Sequence, residues 1–251
     1  MKLKRFLVSC VAVAMTVSLV PAVAFASEAD ESENNTAVVD VAETKEAEVV
    51  AKLGGSETPI SGQCGKNVTY TINSSTGAMV ISGSGTMYNY SSSKKAPWYS
   101  LKDKITSVAF SGKVTSIGNY AFWGLTKITA VYIHGYIKTV GEGAFYGCTS
   151  LKKVTGGKSL TMIKTAAFKN CKALATCTID SSVLKKIGAY AFSGSGLTTL
   201  TIKKTSKLTK KGVKKSLKGS KIKTVKVKKG KKLTYTMYFL KANSGKGVYV
   251  K

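Results

Sequence analysis

Ile117-Gly118-Asn119-Tyr120-Ala121-Phe122 opens a frame that the rest of the chain repeats. The Ala-Phe pair returns at Ala144-Phe145, Ala167-Phe168 and Ala191-Phe192, in steps of 23, 23 and 24 residues. Val140-Gly141, Ile163-Lys164 and Ile187-Gly188 stand ahead of those pairs as Ile117-Gly118 does ahead of the first. A fixed period of this length marks a solenoid: one unit cannot bury its apolar face alone, whereas stacked units can.

Between the pairs runs a segment written apolar-x-x-apolar-x-apolar. Its first column is Ile105, Ile128, Leu151, Leu174, Leu197 and Ile222, and its second is Val108, Val131, Val154, Cys177, Leu200 and Val225. The third is Phe110, Ile133, Gly156, Ile179, Ile202 and Val227. Strand side chains alternate, so the last two positions of each segment share one face. The expected fold is mainly β: each unit gives a short strand to a parallel sheet and a compact turn, holding Ala and Phe, to the opposite wall.

The runs Ile117 to Phe122 and Ala144-Phe145-Tyr146-Gly147-Cys148-Thr149-Ser150-Leu151 resemble the BspA-type leucine-rich repeat of bacterial surface proteins. The segment before them, with Gly62-Gln63-Cys64-Gly65, Val68 to Ile72, Ile81 to Met87 and Pro97-Trp98-Tyr99, resembles the β-module that precedes such repeats. The departures are local: Lys164 for Gly, Ser195 for Cys, Gly156 for a strand aliphatic, and loss of Ala-Phe in the last unit, Gly212 to Leu217. A degenerate last rung fits an end cap, whose outer side faces water. The resemblance implies a leucine-rich-repeat solenoid and a surface or secreted interaction protein, with adhesion to host matrix proteins or other cells as its role.

Five regions follow. Residues 1–26 read as a signal peptide, with Lys2, Lys4 and Arg5 ahead of an apolar stretch and Ala24-Phe25-Ala26 at its end. Residues 27–60 form an acidic spacer with nine carboxylates and no aromatic residue, unable to bury enough apolar surface to offset chain ordering. Residues 61–103 are the β-module, in which Val68 to Ile72 and Ala78 to Ile81 flank a turn rich in Asn, Ser and Gly; a hairpin there, with Trp98, would cover the open first edge of the solenoid. Residues 104–229 are the repeats and 230–251 a lysine-rich cap. No stretch after residue 26 reaches the ~20 apolar residues of a membrane helix.

Only Asp103, Glu142 and Asp180 are acidic after residue 60, against 15 lysines between Lys203 and Lys232 alone. Arg5, in the signal peptide, is the only arginine, so the mature chain carries its positive charge on lysine, a mobile hydrated point charge and not a planar fork. Diffuse attraction to an anionic surface macromolecule, such as a matrix protein, a glycosaminoglycan or teichoic acid, fits better than sequence-specific nucleic-acid reading. The plain alternative is a solvated face. The outward row between the second and third columns, Ala109, Tyr132, Thr155, Thr178, Thr201 and Lys226, is the candidate recognition face. Ser111, His134, Gly157, Asp180, Lys203 and Lys228 extend it. Tyr132, His134, Lys203, Lys226 and Lys228 are the candidate ligand-binding residues.

Catalysis has little to draw on. His134 is the only histidine, and Asp180 shares its column two rungs away, about 10 Å at ~4.8 Å per rung and too far for a hydrogen bond. No cofactor or metal is expected, and the chain reads as a non-enzyme. Cys148, Cys171 and Cys177 occupy apolar columns; rung spacing permits a Cys148–Cys171 bridge, whereas in-register stacking favours free thiols. Two other functions stand beside adhesion: retention on the cell's own anionic wall through lysine contacts, and hydrolysis of wall or matrix polymers, which lacks a carboxylate pair.

Overall fold

The computed structural model describes residues 58–204 and 207–227 and the backbone of 249–250, all within one compact unit, Val38–Lys251. The signal peptide, nearly all of the spacer and most of the C-terminal cap lie outside the described residues.

The chain starts as a hairpin of β1 (Ile60–Ile72) and β2 (Ala78–Met87), paired antiparallel from Gly65↔Met87 to Ile72↔Met79 with a bulge between Gly65 and Asn67. Asn73 builds the turn: its Oδ1 accepts from the backbone N–H of Ser75 at 3.0 Å and of Thr76 at 2.8 Å, the local side-chain bonding that makes Asn a turn residue. The hairpin serves as the zeroth rung. The first half of β2 pairs in parallel with β3 (Ser107–Phe110) and the second half with β4 (Lys113–Ile117), so one long strand feeds both walls.

From there two parallel ladders run along the unit. One contains β5 (Ala130–Ile133), β7 (Lys153–Gly156), β9 (Thr176–Ile179), β11 (Thr199–Ile202), β12 (Thr224–Val227) and β13 (Tyr249–Val250). The other continues β1, β2 and β4 through the two-residue strands β6 (Thr139–Val140), β8 (Met162–Ile163) and β10 (Lys186–Ile187). The first ladder is the sheet expected from the repeat. The second was not expected; it forms because Ile117, Val140, Ile163 and Ile187, each entering an Ala-Phe turn, stack in register and are all buried. Ile137, Leu160, Leu184 and Leu208 add a further buried column between the walls.

The Ala-Phe turns make the third wall, and their backbones are ladder-bonded too. Tyr120, Phe122 and Gly124 donate their N–H groups to the carbonyls of Glu142, Ala144 and Tyr146, each at 2.8 Å, and Gly143, Phe145 and Gly147 pass the same pattern on to Thr165, Ala167 and Lys169. Between these walls the phenylalanines stack. Phe122–Phe145, Phe145–Phe168 and Phe168–Phe192 have ring centroids 5.2, 5.4 and 5.6 Å apart, with interplanar angles of 21°, 2° and 7°. Offset aromatic pairs at such distances contribute about 0.5–1.5 kcal/mol each beyond their buried area. Trp98 closes the near end: its ring stacks on Phe122 at 5.8 Å, and its Nε1–H donates to the Ala121 carbonyl at 2.8 Å.

A strained backbone position recurs in every turn. Tyr120, Gly143, Ala166, Tyr190 and Lys215 have φ of 51°, 53°, 52°, 57° and 58°, so the residue before Ala-Phe, or before Ser216-Leu217 in the last unit, is left-handed whatever its type. That conformation costs a residue with a Cβ roughly 1–2 kcal/mol. A second local defect lies in the column of Leu125, Cys148, Cys171 and Ser195. Cys148 Sγ donates to the Phe122 carbonyl and Cys171 Sγ to the Phe145 carbonyl, both at 3.1 Å, whereas the buried Ser195 hydroxyl, on its shorter bond, finds no partner among the described residues.

Two outcomes follow for urea denaturation followed by circular dichroism. Ala166→Gly stabilises the chain by roughly 0.5–1 kcal/mol, the relief of left-handed strain less the extra entropy of unfolded glycine. Ser195→Cys gains about 1 kcal/mol by removing an orphaned hydroxyl; unchanged midpoints would contradict both readings.

Candidate functional site

The expected recognition face is the outer side of the β5–β12 sheet, and register defines it. Tyr132↔Thr155, Thr155↔Thr178, Thr178↔Thr201 and Thr201↔Lys226 are cross-strand partners, so the five side chains form one row. Ala109 departs from the expected outward row: paired with Val80 of β2, it is only 8% exposed, too short to clear its neighbours. A second outward row, missed in the sequence, lies one pleat away: Ala130↔Lys153, Lys153↔Thr176 and Thr199↔Thr224. Its signal was present, since strand alternation puts the residue before each second-column apolar position outside as well.

The face is chemically divided. On β5, Tyr132 leans over the next strand; Gly156 (φ +95°) makes room, since a Cβ there would meet the Ile133 carbonyl oxygen and, at 2.7 Å, the Tyr132 ring. This explains why a glycine interrupts an aliphatic column. His134 stacks on Tyr136, centroids 5.5 Å apart, and Tyr136 is 50% exposed, an aromatic contribution the sequence did not single out. Lys203 and Lys226, both exposed, stand on neighbouring rungs at the other end. Tyr132 and Lys226 are four rungs apart, about 19 Å at ~4.8 Å per rung. The five candidate residues therefore do not converge: Tyr132 with His134 makes one group, Lys203 with Lys226 another, and threonines fill the space between. Lys228 lies outside the described residues.

The arrangement provides contact and charge rather than acid–base chemistry. Asp180 faces Lys204, Oδ2 to Nζ 3.5 Å, and its register keeps it two rungs from His134. Glu142 sits on the turn wall, its backbone N–H held by Asn119 Oδ1 at 2.9 Å. Among the described residues no three His, Cys, Asp or Glu side chains gather as a metal site.

The thiols are free and buried: Cys64, Cys148, Cys171 and Cys177 are unbridged. Desolvation drives the Cys177 and Cys171 thiols up to about 12 and raises Cys148 well above the usual thiol range, so none is a nucleophile at neutral pH.

A family profile described as "BspA type Leucine rich repeat region" matches residues 95–217 in six copies. A leucine-rich repeat protein from Eubacterium ventriosum has a similar crystal structure: TM-score 0.58, 22% identity, covering 70% of this chain and 46% of that one. A leucine-rich repeat protein from Bacteroides ovatus matches over 64% of this chain and 46% of its own, with 22% identity and a TM-score of 0.35. The chain thus spans less than half the length of either solved structure. No curated protein matches it.

Cys177 stands where its column otherwise holds Val or Leu, and its raised pKa links stability to pH. Above the ordinary thiol value the unfolded chain loses a proton that the folded chain keeps, so stability falls as pH rises from about 9 towards 12. Cys177→Val is expected to match the parent at pH 7 to within about 1 kcal/mol and to lose stability less steeply between pH 9 and 11. Parallel slopes in thermal melts would refute this.

Proposed function

Because residues 95–217 belong to the BspA-type leucine-rich repeat family, we propose that this chain is a secreted or surface-displayed interaction protein that binds an anionic macromolecule along the outer face of its β5–β12 sheet. Proteins with this repeat are typically surface or secreted, and no helix among the described residues is long and apolar enough to cross a membrane.

The observation that carries the reading is the in-register row Tyr132, Thr155, Thr178, Thr201 and Lys226. It is a rigid, solvent-facing line of contact groups that ends in lysines, in a folded region with only three carboxylates. Rigidity matters because side chains already ordered by the fold lose little entropy on binding, which leaves more of the contact energy as affinity. Lysine charge steers an acidic partner onto the face and sets a salt-dependent association rate. Attraction of this kind fades over ~8 Å at physiological ionic strength, so the partner must lie against the sheet.

Attachment to host or neighbouring-cell macromolecules is the role this face fits. Retention on the producing cell's own anionic wall uses the same lysines and differs only in partner. Release from intact cells by moderate salt marks retention; salt-resistant binding to a purified matrix protein marks adhesion. Hydrolysis finds no support: Asp180 stands two rungs from His134, beyond a direct hydrogen bond.

The double substitution Lys203→Glu with Lys226→Glu reverses two exposed charges. It is expected to weaken binding to heparin or to purified teichoic acid about tenfold at low salt, and much less at high salt, with the melting temperature little changed. Surface plasmon resonance at two salt concentrations reads the outcome. An unaltered affinity for both polymers would remove the face from the mechanism.

A further inference from the structure

The turn wall bears a group of half-buried aromatic rings that the sheet face does not use. Tyr99, from a single 3-10 turn at Tyr99–Leu101, and Trp123, from the residue after the first Ala-Phe pair, have ring centroids 5.4 Å apart and planes inclined by 38°. Tyr120 meets Trp123 edge-on at 6.2 Å. Into this corner the exposed Lys95 delivers its ammonium, 4.1 Å from the Tyr99 centroid and 5.3 Å from that of Trp123. A cation within about 6 Å of two ring faces is held by their negative quadrupoles.

The surroundings suit a positive group. Asp103, four residues on from Tyr99, accepts a hydrogen bond from Thr126, three residues on from Trp123, at 3.4 Å. The Tyr120 hydroxyl is pushed above its ordinary pKa by burial first and then by the charge of Glu142 beside it. Asp103 is also ion-paired with Lys102, Nζ to Oδ2 2.9 Å, so its charge is largely balanced, and Glu142 beside Tyr120 supplies the negative charge here.

Other lysines also lie over rings, in a different way. Lys169 sits 5.6 Å from Tyr146, and Lys218 lies 5.9 Å from Tyr190. Each comes from the next rung and addresses one ring, as a repeating lattice dictates. Lys95, the first residue of the matched repeat region, ends the exposed segment Ser92–Lys95 and addresses two rings at once.

We propose that the corner formed by Tyr99, Tyr120 and Trp123 is a binding site for a quaternary ammonium group, the trimethylammonium head of a choline ester, and that Lys95 is its displaceable internal occupant. A quaternary ammonium is the better guest. Its methyl groups bury apolar surface on the rings, and it gives up less hydration than the compact, strongly hydrated lysine ammonium. The site is separate from the sheet face and does not depend on it.

Calorimetric titration of the full chain with choline chloride and with phosphocholine, against matched sodium chloride, tests the assignment. Lys95→Ala empties the corner and is expected to tighten binding roughly two- to fivefold, the range of one exposed cation–π contact. Trp123→Leu and Tyr99→Leu are expected to abolish it, while the Lys203→Glu, Lys226→Glu protein binds as the parent does. Cosedimentation with phosphatidylcholine vesicles identifies a lipid surface as the source of the head group; binding to phosphocholine without the vesicles identifies a soluble or polymer-borne ester. Absence of saturable binding to Lys95→Ala, or equal binding by the parent and the ring variants, overturns the proposal. The Lys95 variant removes no packed group, so it decides the question even if a ring variant fails to fold.

Discussion

Every wall of this protein is tied to the next rung by backbone hydrogen bonds, and that axial bonding is the constraint from which the rest follows. In the two sheets it takes the familiar parallel form. In the Ala-Phe turns it requires alternate N–H groups to point along the stack, as at Tyr120, Phe122 and Gly124. The chain meets that requirement by turning left-handed just before each turn of this wall, at Tyr120, Gly143, Ala166, Tyr190 and Lys215. In every rung but that of Gly143 a conformational cost is thus accepted so that a buried wall leaves few backbone donors unpaired, which is the larger penalty.

Side-chain identity follows from this registration. Once rungs stack at strand spacing, each position touches its own repeat equivalent above and below, and a column tolerates only what packs against itself. Phenylalanine does so face to face, alanine beside it leaves room for the ring, and a thiol reaches the preceding carbonyl where a hydroxyl does not. Trp98 shows the rule at the boundary: lacking a rung before it, Phe122 receives an indole that both stacks on it and hydrogen-bonds to its neighbour's carbonyl. Around Trp98, Tyr70 of the hairpin and Tyr90 after it pack edge-on at 4.9 and 5.8 Å, so the near end of the core is closed by an aromatic plug.

What period and alternation govern was legible in the sequence: the three apolar columns, the Ala-Phe wall, the hairpin and the outward row from Tyr132 to Lys226. What depends on contact between rungs was not. The two-residue ladder of β6, β8 and β10 has a single buried apolar residue per unit, too short a run to announce a strand. Gly156 looked like a defect in a column until its positive-φ backbone was seen tight against the Ile133 carbonyl and under the Tyr132 ring, and Ala109 looked exposed because alternation alone placed it outward, without the neighbours that leave it 8% exposed. The candidate site shows the same division. Sequence placed its residues on a common face running from aromatic to lysine; the structure added that Tyr136 joins His134.

The two ends of the phenyl stack are built unequally. At the Trp98 end the last ring is capped and the carbonyl beside it satisfied, although the Tyr90 hydroxyl packed on Trp98 finds no partner among the described residues. At the far end the ring gives way to Leu217, and the buried hydroxyl of Ser216, standing where Ala occurred before, has no partner among the described residues. In a linear array each layer is stabilised chiefly by its immediate neighbours, so cooperativity is local and the less well packed layers open first. Among the described layers, heat or a pulling force would part the phenyl stack at Leu217 before it parts it at Trp98. Anything gripping the late lysine-bearing layers would hold the zipper by its slider.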